Sequence, residues 1–238
     1  GGPGGPGGPG GPGGGGGDIL ALAFDPNDPS IVYAAEQNWT TTAITNNGRI
    51  LRSTDVGLSW TAVYTEDNLR LNTVAAGSAL AGGEDASYKG AIYYSSDGTT
   101  NWTRVYTTDN RITSIVVNPV TRTLVLAADQ RGNLYSSTNG GLNWTDTGQR
   151  PGPKLAFNPL DANIVYGSDP GCLQRSTDSG SNWEGFCGGM PAGGSIGAIA
   201  VDQGPGTQTI YIGYAGVWSY SQTLGTQVIY LPIIMKNY

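Results

Sequence analysis

Four copies of one short pattern recur in this 238-residue chain, and their spacing restricts the fold more than any other feature. They run Ser53-Thr54-Asp55-Val56-Gly57-Leu58-Ser59-Trp60, Ser95-Ser96-Asp97-Gly98-Thr99-Thr100-Asn101-Trp102, Ser137-Thr138-Asn139-Gly140-Gly141-Leu142-Asn143-Trp144 and Ser176-Thr177-Asp178-Ser179-Gly180-Ser181-Asn182-Trp183. The leading serines are 42, 42 and 39 residues apart, the length of a four-stranded propeller blade. Each copy lies between two strand-like runs, as Arg49 to Ser53 and Trp60 to Thr65 flank the first, and reads as a hairpin turn. Ser and Asp side chains bond backbone groups in such a turn, Gly supplies the permissive backbone, and Trp covers the hairpin. That structural duty falls to Ser53, Asp55, Gly57, Trp60, Ser95, Asp97, Trp102, Ser137, Asn139, Gly141, Trp144, Ser176, Asp178, Gly180 and Trp183. In the second copy Gly98 follows Asp97 at once and Thr99 stands where Gly is expected; in the third, Asn139 replaces Asp. Those two turns are expected to be less regular.

Upstream of the turns, apolar runs recur in pairs: Leu20 to Phe24 before Ile31 to Ala35, Ile115 to Val117 before Leu124 to Ala128, and Leu155 to Phe157 before Ile164 to Gly167. Small and apolar residues on both faces suit strands buried between neighbouring blades, with an Asn-Pro or Asp-Pro pair turning the chain outward. A last repeat, with runs at 196–201, 209–214, 217–221 and 227–234, lacks the turn pattern. The expected architecture is all-β: a propeller of five four-stranded blades at about 18–68, 69–110, 111–153, 154–194 and 195–238, with an open array as the alternative. Residues 1–17 form a Gly-Gly-Pro tract that cannot bury a core and is read as an extended, polyproline II-like tail.

The repeat resembles the BNR/Asp-box superfamily of propellers, which includes sialidases, xyloglucan-active glycosidases, sortilin-type receptors and photosystem assembly factors. The likeness covers nearly all of the chain after Asp18, and the wording is similar to that of secreted bacterial repeat proteins. It implies the fold and says little of activity, because function lives in sites placed on a fold.

Against a sialidase, the resemblance sets a missing Arg-Ile-Pro motif, and Arg49, Arg52 and Arg175 lie beside the turns. A paired-carboxylate glycosidase needs two acids across a cleft; Glu36, Asp129, Asp169 and Asp202 are the only candidate cluster, and as blade-end turn formers they argue against catalysis. No cofactor is expected: with no His and two Cys, transition-metal sites and His-based triads lack their ligands. A net charge of -6 argues against nucleic acid, and no apolar run is long enough to span a bilayer. Trp39, Trp218, Tyr88, Tyr93 and Tyr94 are candidates for stacking on sugar rings.

Cys172 and Cys187 flank a hairpin turn, where a cross-strand disulfide is expected over free thiols. The expected location is extracellular or at the cell surface, as a mature chain without its export signal. Asn38, Asn101 and Asn143 open Asn-Trp-Thr sequons and are candidate glycosylation sites. The termini suggest assembly: the tract with Gly1, Pro3, Pro6, Pro9 and Pro12, and an apolar C-terminal run with Tyr230, Leu231, Pro232 and Ile233 that suits an edge strand. The leading expectation is therefore a non-catalytic extracellular subunit whose partners are other copies of itself, joined into a filament through its termini. A carbohydrate-binding lectin or adhesin is the first alternative and a glycoside hydrolase the second.

Overall fold

A computed structural model describes residues 17–39, 46–77, 79–186, 195–204, 207–213 and 217–223. These form five antiparallel sheets, and no helix is present among them. Sheet one holds β1 (Asp18–Phe24), β2 (Val32–Trp39), β3 (Asn46–Ser53) and β4 (Thr61–Asp67). Sheet two holds β5 (Arg70–Ala75), β6 (Leu80–Glu84), β7 (Gly90–Ser95) and β8 (Trp102–Thr108). Sheet three holds β9 (Ile112–Val117), β10 (Val125–Asp129), β11 (Leu134–Ser137) and β12 (Thr145–Asp146). Sheet four holds β13 (Leu155–Phe157), β14 (Val165–Asp169), β15 (Cys172–Ser176) and β16 (Glu184–Phe186). Sheet five holds three described strands, β17 (Ala198–Gly204), β18 (Thr207–Gly213) and β19 (Val217–Thr223). Strands pair in chain order within each sheet, and the first strands pack in succession, β1 on β5, β5 on β9, β9 on β13 and β13 on β17. The protein is an all-β propeller.

Four separate cores lie between successive sheets. Tyr33, Ile50, Leu71 and Trp102 fill the first gap; Leu80, Ile112, Val125 and Trp144 the second. Leu126, Leu134, Leu155 and Val165 fill the third; Tyr166, Leu173, Ile210 and Ile212 the fourth. Side chains alternate across a strand, so β10 serves two cores at once: Val125 and Ala127 enter one, Leu126 and Ala128 the other. This is why the second strands read as unbroken apolar runs. Hydroxyls tie the inner strands together, Thr73 Oγ1 accepting from Ile115 N and Ser114 Oγ from Leu155 N, both at 3.2 Å.

β1 is the exception. Its Ile19, Leu20, Leu22 and Phe24 are 49, 44, 58 and 60% exposed, whereas Leu71 and Ile112 on β5 and β9 are fully buried. This contrast gives a test by urea unfolding. Leu71→Ala or Ile112→Ala is expected to cost about 2–5 kcal/mol through lost burial and a cavity, and Leu22→Ala to change stability by no more than about 0.5 kcal/mol. Equal losses at the three positions would contradict the packing described.

Candidate functional site

The register of the second strands separates the two ends of the propeller. Val32, Val125 and Val165 pair with Ser53, Ser137 and Ser176, the serines that open three of the turns. Four residues further along each strand stand Glu36, Asp129 and Asp169, so these acids share one register position on one end of the ring, and the turns lie at the other. Sheet two has Gly83 at that position; Glu84 comes one residue later and faces the other side of its sheet.

At the turn end, each serine hydroxyl donates to the carboxylate or amide oxygen two residues on: Ser53 to Asp55, Ser95 to Asp97, Ser137 to Asn139 and Ser176 to Asp178, at 2.7–2.9 Å. Each serine oxygen also accepts a backbone N–H, from Gly57, Gly98, Gly141 or Gly180. Each indole N–H closes the turn on a carbonyl, Trp60 on Gly57, Trp102 on Thr99, Trp144 on Gly141 and Trp183 on Gly180. The third turn is as regular as the first and fourth, because Asn139 Oδ1 accepts from Ser137 and from Asn143 N as an aspartate would. Only the second departs. Its serine bonds the residue three on instead of four on, and Gly98 at φ 65° leaves no room for a Cβ, which would stand 2.0 Å from Tyr33 Oη.

Hydrogen bonding holds the turn carboxylates down. The Ser59 hydroxyl and N–H bring Asp55 to a pKa of about 2, the Asn182 amide and N–H do the same for Asp178, and the Thr99 N–H lowers Asp97 further.

At the acid end the three candidates differ. Glu36 is buried and paired with Arg49 at 2.5 Å. Asp129 is fully buried and accepts from Asn110 Nδ2, Arg131 N, Asn133 N, Asn133 Nδ2 and Tyr135 Oη. Asp169 is half-buried, with the Gln174 amide 3.5 Å away. Asp202 does not join them: paired with Thr209, it lies at the turn end beside the equivalents Asp25, Asn118 and Asn158. The carboxamides of Asn118 and Asn158 cap the Asn-Pro turns there.

Of the aromatic candidates, Tyr93 is 2% exposed and belongs to the core, Tyr94 lines a cavity of about 260 Å³ at the turn end with Tyr33 and Asp97, and Tyr88 is exposed. Asn38, Trp39 and Trp218 stand on described strands but their side chains are not described, and the residues named in the tail and Tyr230 to Ile233 lie outside the described residues. Asn143 is exposed, and the Asn101 amide donates to Asp97 Oδ2 at 2.8 Å. Cys172 is a disulfide cysteine; Cys187 lies outside the described residues. No group of His, Cys, Asp and Glu fit to hold a metal, and no helix long and apolar enough to cross a membrane, is found among the described residues. Sequence reasoning missed Glu84 and a second cavity, of about 290 Å³, lined by Lys89, Tyr106, Asp109, Tyr135 and Asp146. These residues come together only when sheets two and three pack.

No family model and no curated protein matches the chain. Solved structures do. A GH74 enzyme of Niastella koreensis is 20% identical with a TM-score of 0.63, over 85% of this chain and 30% of that one. The GH74 xyloglucanase from Xanthomonas campestris is 18% identical with a TM-score of 0.62, over 86% of this chain and 37% of that one. YCF48 from Cyanidioschyzon merolae is 17% identical with a TM-score of 0.54, over 86% and 82%. The chain thus spans about a third of the length of the GH74 enzymes, and the likeness is one of fold. The expectation of a non-catalytic filament subunit is corrected by these findings: the similar structures include GH74 glycoside hydrolases. The terminal segments on which that expectation rested lie outside the described residues.

The turn chemistry predicts an acid response. A carboxylate whose folded pKa lies below its ordinary value of 3.8 contributes stability above about pH 4, and loses it as pH falls toward 2. Thermal unfolding of Asp55→Asn and Asp178→Asn is expected to drop less than the parent's between about pH 4 and pH 2. Asn139→Asp is expected to steepen that drop. Parallel curves for all four proteins would refute the assignment.

Proposed function

We propose that this chain is the carbohydrate-handling propeller of a glycoside hydrolase, holding a polysaccharide at the ring end away from the four turns. The supporting observation is the fold it shares with GH74 enzymes over 85–91% of its length. That end also carries the acids of the shared register position. Among them Asp169 is the residue to which we assign one of the two carboxylate roles, because Glu36 is held by a guanidinium and Asp129 has its oxygens filled by donors. A second reading, binding without hydrolysis, is favoured by that same locking of two of the three acids: a general acid must be free to exchange a proton with the glycosidic oxygen.

Release of reducing ends from xyloglucan and a panel of other polysaccharides, together with retardation in gels containing them, separates these readings. Asp169→Asn is expected to lower turnover by about a hundredfold or more, with Glu36→Gln acting on stability and leaving turnover within a few-fold. Retardation without release would leave the binding reading alone, and neither effect on any polysaccharide would remove both.

We further infer that the four turns are Asp boxes of the BNR type, a reading supported by their recurrent Ser, Asp and Trp hydrogen bonds. Residues 18–238 then form one propeller domain behind the tail. The bonded state of Cys172 supports pairing with Cys187, the other cysteine of the chain, and work outside the reducing cytoplasm. A link closing a loop of about 15 residues is worth about 3 kcal/mol. Reduction is expected to lower stability in urea by that order, and Cys187→Ser to make the protein insensitive to reductant.

A further inference from the structure

Two turns at the acid end, 85–89 and 129–133, keep the same hydrogen bonds from their one shared residue, the leading aspartate, and place different residues at the left-handed position. In sheet three, Asp129 Oδ1 accepts from the N–H groups of Arg131 and Asn133 at 2.8 and 3.0 Å. The fourth residue of that turn, Gly132, stands at φ 81° with its N–H bonded to the Asp129 carbonyl at 2.9 Å. In sheet two, Asp85 Oδ1 accepts from the N–H groups of Ser87 and Lys89 at the same 2.8 and 3.0 Å. The fourth residue here is Tyr88, at φ 60°, with its N–H bonded to the Asp85 carbonyl at 2.9 Å. A left-handed φ is free of strain for glycine and costly for a bulky residue such as tyrosine. Tyr88 gains no packing in return, because it is 70% exposed. An ion pair between Arg104 Nη2 and Asp85 Oδ2 at 2.8 Å fixes the turn that presents it.

The next residue leads into the second cavity. The Lys89 ammonium is paired with Asp109 at 2.8 Å, and both line the space of about 290 Å³ together with Asp146. Tyr106 and Tyr135 supply aromatic walls, their ring centroids 5.7 Å apart at 62°. Burial, and then the Asp146 charge, raise the Tyr106 pKa, so its hydroxyl stays a donor. Rings for the apolar face of a pyranose, with carboxylates and an ammonium for its hydroxyls, are the lining a neutral sugar needs.

We propose that this corner is a saccharide subsite, with Tyr88 as a stacking platform and the adjoining cavity taking a hexose unit through Asp109, Asp146 and Lys89. It rests on the carbohydrate reading above and names where the polymer is gripped. The strained tyrosine is retained for its ring, so function and stability pull in opposite directions at this residue.

Isothermal titration with xyloglucan oligosaccharides, and with any other oligosaccharide retained in the polysaccharide panel, tests this on the whole chain. Tyr88→Gly is expected to weaken binding roughly tenfold or more, as loss of an aromatic anchor does, while raising the urea midpoint or leaving it unchanged. Tyr88→Phe keeps the ring and is expected to bind within about threefold of the parent. Asp146→Asn is expected to weaken binding by roughly tenfold with an unchanged midpoint. If the parent binds and Tyr88→Gly binds equally, the subsite is overturned and the carbohydrate reading stands. If the parent binds no oligosaccharide, both fall.

Discussion

Burial of both faces of the three middle sheets is the constraint from which the rest of the structure follows. An isolated sheet of this composition would expose Val125 and Ala127 on one side and Leu126 and Ala128 on the other. Only a neighbour on each side satisfies it, and repetition of that requirement arranges the sheets side by side around an axis. The first two gaps are small cores closed by aromatic residues from the outer strands, Trp102 and Tyr64 in the first and Trp144 and Tyr106 in the second. The turns then have one task, to end each hairpin at a fixed place so that the next sheet starts in register.

This arrangement explains why keeping the turn chemistry and placing a ligand site are separate problems for the chain. The Ser, Asp and Trp side chains of the turns are occupied with one another and with their own backbone. At the far end the second strands finish in acids, and their local partners differ from blade to blade: a guanidinium for Glu36, a shell of amides and a phenol for Asp129, a single distant amide for Asp169. Equivalent positions in a repeat fold thus carry different chemistry.

Much of the fold was legible because it is written in local, periodic terms. Turn spacing, alternation along strands and the Asn-Pro pairs each report a short-range preference, and β1 to β16 lie where the repeats place them. The grouping of the acids was only partly legible. Glu36, Asp129 and Asp169 follow equivalent apolar runs. Asp202 joins that group in the sequence because an acid ending the first strand of a blade resembles one ending the strand after it, until pairing shows that they leave at opposite ends. Glu84 escaped notice because it stands one residue beyond the position that Glu36, Asp129 and Asp169 share, which sheet two fills with Gly83.

The sequence by itself determined that this is a five-repeat β protein with tight side-chain-bonded turns, since those features depend on residues within a few positions of one another. Which groups meet was decided by the tertiary structure. Lys89, Tyr106, Tyr135 and Asp146 come from two sheets and share a cavity only because apolar faces bring those sheets into contact. Tyr88 is one of five aromatic candidates in the sequence, and only its backbone, in the conformation that its counterpart Gly132 adopts without strain, sets it apart from the buried Tyr93. Local preference writes the repeat, and burial between repeats writes the site.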